Sequence, residues 1–215
     1  MKQFLKLTRQ SRQQGWWHAY GDALPDRLRA YVGFEADATK IATFQCEAVP
    51  GLLQTETYAR HIIRATRPTE SAEDTELKLA LRMERQHILD RPSPPRIWAI
   101  IGEAAIRRPV GNELAMAEQL NHIATMAEQH PNITVQVLPF AAGAHSAMGS
   151  SFSILSFSDI PGSVVYSETI STKTYIEQQS EIDRHEDVFH RLMASSAQPE
   201  KSISWLRQVA EEYSK

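Results

Sequence analysis

Residues 74–90 form an amphipathic helical pattern with an arginine inside its apolar stripe. Plotted at about 100° per residue, Leu77, Leu81, Ile88 and Leu89 share one arc, and Arg85 falls within it. A guanidinium among buried apolar side chains requires an anion beside it, because an uncompensated buried charge is strongly destabilising. Pro92, Pro94 and Pro95 stop the helix. Ile97-Trp98-Ala99-Ile100-Ile101 then reads as a strand buried on both faces. This stretch therefore reads as a helix followed by a buried strand, with an arginine that needs a counter-charge.

The remaining elements follow from periodicity and punctuation. A helix is expected from Pro25 to about Ala36, with Leu28, Tyr31, Val32 and Glu35 setting its pattern, and a short strand from Ile41 to Cys46. Pro50-Gly51 marks a turn, and Thr55 is placed to cap a helix from Glu56 to about Arg64. After Glu103 a turn of helix reaches Arg107-Arg108-Pro109. Val110 to Gln129 is amphipathic, with Leu114, Ala117, Leu120, Ile123, Ala124 and Ala127 as its expected core face. Ile133 to Leu138, Phe152 to Phe157 and Val164 to Glu168 read as strands, the last two as an antiparallel hairpin across Asp159-Ile160-Pro161-Gly162. Tyr175 and Ile176 suggest another short strand, before helices near residues 178–195 and 201–213.

Helices first, strands grouped in the middle and helices last predict an α+β fold, with helices packed on a small mixed, mainly antiparallel sheet and an N-terminal linker helix. The helix between the strands at 97–101 and 133–138 allows one parallel crossover. The expected division is a linker helix and aromatic anchor over residues 1–22 and one larger domain over residues 23–215.

The length of 215 residues and 42 % hydrophobic content suit one substantial core. No apolar run is long enough to span a bilayer and the N-terminus lacks a signal-type segment, so a cytoplasmic location without membrane attachment is expected. Cys46 is the only cysteine, which excludes an internal disulfide and a cysteine-built zinc site within one chain. The net charge of −3 does not describe a strongly basic nucleic-acid binder, although Lys2, Lys6, Arg9 and Arg12 precede the first acidic residue, Asp22. Those four residues suit either a solvated basic helix or a segment lying near phosphates.

Catalytic and cofactor patterns fail on their own chemistry. Gly149-Ser150-Ser151-Phe152-Ser153 lacks the second glycine of a nucleophile elbow, since position 153 is Ser. Neither a phosphate-cradling loop nor a dinucleotide fingerprint is present. His185 and His190 are five residues apart and face different sides of a helix. No catalytic residue, metal ligand or cofactor is assigned, and the chain is not expected to be an enzyme. Glu103 and Glu168 would serve as an acid–base pair only if their environments drove their proton affinities apart.

The charges placed where the pattern predicts core remain. Val164, Tyr166 and Glu168 point to one face of their strand, and Ile97, Ala99, Ile101 and Glu103 share a face of theirs if that strand extends so far. Arg85 is the expected counter-charge of Glu103 and Glu168, and such charges either fix the packing of helix on sheet or line a polar ligand pocket. The pocket candidates are Arg82, Arg85, Glu103, Arg107 and Glu168, with Phe140 and His145 on a loop over residues 139–149 that would form a lid.

The chain resembles bacterial antitoxin-like helix-turn-helix regulators of the xenobiotic-response-element (XRE) family, in their larger C-terminal domain of unknown function. The resemblance rests on Trp16-Trp17 with Tyr20 and Leu24-Pro25, on Val49-Pro50-Gly51-Leu52-Leu53-Gln54-Thr55 with Tyr58-Ala59-Arg60, and on Arg82-x-x-Arg85-Gln86. It continues through Glu103-Ala104-Ala105, Gln119-Leu120, Val135 to Phe140 with Gly143-Ala144-His145, and Phe152. It implies a regulatory domain that controls a DNA-binding head and works with a small partner protein encoded beside it, in a toxin–antitoxin-like pair. Family members usually carry a head of about 60–80 residues, which is not found before Met1, so DNA contact is expected only through a head outside this chain.

Two functional expectations follow. One is dimerisation and partner binding, through an apolar surface shaped by Trp16, Trp17, Tyr20, Leu52, Leu53, Gln54 and Tyr58. On that reading, aspartate at positions 52 and 53 would abolish partner binding in a folded domain. The other is small-molecule sensing through the Arg/Glu pocket.

Overall fold

The computed structural model describes residues 26–158 and 162–215. The expected unit over residues 1–22, including Trp16, Trp17 and Tyr20, lies outside the described residues, as do positions 159–161 of the hairpin turn.

The fold is α+β, with seven described α-helices around a six-stranded open mixed sheet. The chain runs α1 (Asp26–Asp37), β1 (Lys40–Gln45), α2 (Glu56–Thr66), α3 (Ala72–Gln86), β2 (Arg96–Gly102), α4 (Glu103–Arg107) and α5 (Glu113–Gln129). It continues through β3 (Ile133–Leu138), β4 (Phe152–Ser156), β5 (Ser163–Glu168), β6 (Lys173–Ile176), α6 (Gln179–Ser195) and α7 (Pro199–Glu212). No described helix is long and apolar enough to cross a membrane.

Strand order is β3-β2-β1-β4-β5-β6. The β3–β2 and β2–β1 pairs are parallel, and the three remaining pairs are antiparallel. There are thus two parallel pairings where one crossover was expected. The second arises because α2 and α3 together form a helical return from β1 to β2. The hairpin reading holds, with Ser153 opposite Tyr166 and Leu155 opposite Val164.

Alternation along the strands divides the core between two faces. One carries Ile41, Ala99, Ile101, Val135, Val137, Leu155, Val164 and Tyr166, covered by side chains from α1, the 50–54 turn, α5 and α7. The other carries Phe44, Ile100, Phe152, Ile154 and Val165 beneath Ile182, Phe189 and Leu192 of α6. Trp98 belongs to the α6 face, where its indole N–H donates to Gln136 Oε1 at 2.9 Å. Gln136 Nε2 in turn donates to the Ala197 carbonyl at 2.9 Å, so the polar groups inside this layer satisfy each other.

Leu114 departs from expectation, being 77 % exposed. It lies about 120° around the helix from Leu120. The face that packs is formed by Met116, Ala117, Leu120, Ile123 and Ala124, together with Gln119. Cys46, expected on a strand, sits just beyond β1, half-buried, with Sγ 3.2 Å from Ser151 Oγ.

Candidate functional site

The anion demanded by Arg85 is Glu35 of α1, in place of the expected Glu103 and Glu168. Arg85 Nε donates to Glu35 Oε2 at 2.7 Å and Nη2 donates to Oε1 at 2.8 Å, a planar two-pronged contact in which the carboxylate is 2 % exposed. Tyr31 lies one turn before Glu35 on α1 and so shares its face. The Arg85 guanidinium carbon stands 5.1 Å from the Tyr31 ring centroid, a cation–π contact. Burial disfavours the Arg85 cation, but the charge and hydrogen bonds of Glu35 outweigh it and hold the guanidinium above its ordinary value.

The turn over residues 50–54 is clamped from several sides. Leu52 and Leu53 are buried in the core, and Tyr58 is buried with its hydroxyl accepting from the Val49 N–H at 3.3 Å. Gln54 Nε2 donates to the Val49 carbonyl at 2.7 Å, while its Oε1 accepts from Arg82 Nη1 at 2.7 Å. Gln86 Nε2 donates to the carbonyls of Gly51 and Gln54, at 3.1 and 2.7 Å. From α5, Gln119 Nε2 donates to the Leu53 carbonyl and Oε1 accepts from the Thr55 N–H, both at 2.7 Å. Thr55 caps α2 as expected, accepting from the Tyr58 N–H at 3.3 Å.

The segments Val49-to-Thr55 and Arg82-x-x-Arg85-Gln86 are therefore two halves of one internal clamp. This corrects the expected partner surface. Leu52, Leu53, Gln54 and Tyr58 are all buried, and the carbonyls of the inward-folded turn are satisfied by Gln86 of α3 and Gln119 of α5.

The sheet supplies the opposite wall. Tyr166 faces α1, its ring 4.2 Å from that of Tyr31 and 5.3 Å from that of Tyr175. Its hydroxyl donates to Glu168 Oε2 at 2.6 Å, and Lys173, paired across the β5–β6 ladder, reaches Glu168 Oε1 at 3.2 Å. Neighbouring strands place Ser153 and Thr43 in the same row as Tyr166, with Ser153 Oγ donating to Thr43 Oγ1 at 2.9 Å. Burial, with Glu168 adding to it, raises the Tyr166 phenol well above its ordinary value. Burial together with the positive charge of Arg85 pushes Arg82 down to about 10, opposed by Glu168 and Glu35. Arg82 remains cationic at neutral pH.

Arg82 and Arg85 lie one turn apart on α3, and Arg85 stands over Tyr31, whose ring meets that of Tyr166 beside Glu168. The remaining pocket candidates lie elsewhere. Strand β2 ends at Gly102, so Glu103 begins α4 and does not extend the strand face. It is separated from Glu168 by three strand spacings, roughly 14 Å at ordinary sheet geometry. Glu103 accepts from Arg107 Nε at 2.7 Å and from the Phe140 N–H at 2.8 Å, and Arg107 also meets Glu212 at 3.2 Å. These contacts tie α4 and the end of α7 to the loop after β3. A Cβ on Gly102 would lie 2.7 Å from the Cys46 carbonyl oxygen, so glycine is what lets the ends of β1 and β2 approach there. Phe140 is 63 % exposed. His145 packs edge-on against Phe44, 5.5 Å away on the α6 face.

Glu35, Tyr31, Tyr166 and Lys173 complete the cluster but were absent from the sequence-based set. Tyr31 and Glu35 carried a signal in their one-turn spacing on a helix, and Tyr166 in sharing a strand face with Glu168. Lys173 carried none, because its role depends on the β5–β6 register. Among the described residues no group of three or more His, Cys, Asp or Glu side chains is arranged to hold a metal ion. The cluster offers cationic donors, a carboxylate and aromatic rings, a set suited to binding and orienting a polar molecule.

Residues 28–208 match the family described as a domain of unknown function, DUF5753. The chain belongs to this family. No curated protein and no solved structure matches it. The DUF5753 span runs from within α1 to within α7, and so contains the Glu35–Arg85 contact, the clamped turn and the Tyr166–Glu168–Lys173 wall.

Proposed function

We propose that this DUF5753 chain is the ligand-sensing regulatory domain of a helix-turn-helix transcriptional regulator of the XRE type, and that the cluster around Arg82, Tyr166 and Glu168 is its effector site. The observation carrying this reading is Arg82. The residue is half-buried, and the hydrogen bond its guanidinium makes among the described residues is to the neutral side chain of Gln54. The topology supports the same place. β1 and β5 run in the same direction, so the clamped turn that follows β1 lies at the end of the sheet where Glu168 ends β5. The sequence resemblance supplies the regulatory context, with DNA contacted through a separate head.

Binding at this site would bear on α1, α3 and the sheet together, because Arg85 and Tyr31 already join them. The test is thermal unfolding of the chain in the presence of fractionated small-molecule extract from its host. A fraction should raise the midpoint of the wild-type protein and leave Arg82→Gln unmoved. An equal rise in both proteins, or none in either, would remove the reading.

Dimerisation and binding of a small partner protein form a second reading, favoured by Phe140 and Met148. These two side chains of the β3–β4 loop are 63 % and 66 % exposed. A partner using this loop would lose affinity on Phe140→Asp with no change in unfolding midpoint. Undiminished affinity in that variant would exclude the loop.

A further inference from the structure

We propose that the molecule taken up at this site is a small organic anion carrying a carboxylate or phosphate, with Arg82 as its principal anchor. The inference rests on the ligand-sensing reading and specifies the chemistry of the ligand.

The charges around the site do not cancel. Arg85 is committed to Glu35 through two short hydrogen bonds, and Lys173 is committed to Glu168, which also accepts from Tyr166. Arg82 is left over. Among the described residues it forms no ion pair, and its one hydrogen bond runs from Nη1 to the Gln54 amide oxygen. A guanidinium carries five N–H donors in a planar fork. One neutral acceptor takes up one of them, and no other Arg82 nitrogen is both buried and unpartnered, so the rest of the fork is open to solvent and to a ligand.

Arg85, one turn further along α3, makes the position more positive still. An incoming carboxylate or phosphate would fill the fork with two charge-assisted hydrogen bonds, the pairing that Arg85 already displays with Glu35. Glu168 does not oppose this strongly, since the Lys173 ammonium 3.2 Å from Oε1 offsets its charge. A cationic ligand finds the reverse, two guanidinium groups and no uncommitted carboxylate among the side chains of this cluster.

The test uses the whole chain and a charge series of small probes at constant ionic strength: benzoate, benzyl alcohol, benzamidine and inorganic phosphate. Benzoate or phosphate should raise the unfolding midpoint and displace the Arg82 Nε resonance in the wild-type protein, while the neutral and cationic probes do neither. Arg82→Gln should weaken the anion at least about tenfold, whereas Arg82→Lys, which keeps the charge, retains part of the affinity. The resonance needs no variant, so a poorly folding Arg82→Gln protein does not spoil the measurement.

An anion effect undiminished in Arg82→Gln would overturn the inference. Stabilisation by benzamidine that disappears in Glu168→Gln would overturn it too, while leaving a ligand site in place. Failure of every probe would also overturn it, and the ligand-sensing reading would fall with it only if host extract likewise gave no Arg82-dependent shift.

Discussion

Arg85 and Glu35, fifty residues apart in sequence, meet through two hydrogen bonds of 2.7 and 2.8 Å in a nearly dry contact between α3 and α1. Because the pair is buried, removing one member leaves the other uncompensated. Glu35→Gln or Arg85→Met alone should cost about 3–5 kcal/mol. The double variant Glu35→Leu/Arg85→Met should cost clearly less than the sum of the two single changes. Urea unfolding of the four proteins measures this coupling, and strictly additive losses would show that the pair does not act as a unit.

Leu53 is fully buried at the centre of the clamped turn. Leu53→Ala should cost about 2–5 kcal/mol, and Leu53→Asp should leave little folded protein. Circular dichroism and denaturant unfolding provide the check. A Leu53→Asp protein as stable as the wild type would restore the contact-surface role expected from sequence.

Gln119 joins α5 to the same turn through both ends of its amide. Gln119→Met keeps the volume but strands the Leu53 carbonyl and the Thr55 N–H, at about 1–3 kcal/mol for each group. Hydrogen exchange should show the Thr55 amide losing protection well before the strand amides of β2. Unchanged protection at Thr55 would mean that the bond contributes little.

Four phenols, Tyr31, Tyr58, Tyr166 and Tyr213, are raised above the ordinary value of 10.0, each chiefly by burial. A folded-state value above the unfolded one means that the folded chain holds its protons longer. The associated stability is fully present below pH 10 and is lost as the unfolded chain ionises above it. Each such group should remove about 1.4 kcal/mol per pH unit in that range. Tyr166→Phe should flatten the alkaline fall in urea midpoint by about one group's share, and an unchanged slope would contradict the assignment.

Much of this architecture was legible in the sequence because it depends on local rules. The periodicity leading to Leu81, the Thr55 cap and the alternation through Val164, Tyr166 and Glu168 each reveal an element without reference to the rest of the chain. The stripe itself was misread in part: α3 stops at Gln86, Ile88 and Leu89 are buried from a 3-10 turn over His87–Asp90, and Leu79 packs where half-buried Leu77 was expected. Arg85 even announced that it needed an anion. Which anion was decided by the packing of α1 against α3, and neither Glu103 nor Glu168 was close enough to supply it. The 50–54 turn misled for a related reason. Two leucines beside a proline and glycine look like a surface knob until Gln86, Gln119 and Arg82 are seen to satisfy the turn from the inside. The separation of Glu103 and Arg107 from Glu168 likewise follows from strand order, which local patterning does not encode.

Native mass spectrometry of the chain recovered gently from its host tests the central claim most directly, with wild-type and Arg82→Gln proteins compared side by side. The account predicts an added mass of metabolite size on the wild-type protein, released on mild activation and detected as an anion, and its absence from Arg82→Gln. A wild-type protein that carries a small partner protein and no small molecule, or an adduct equally abundant on both proteins, would contradict it.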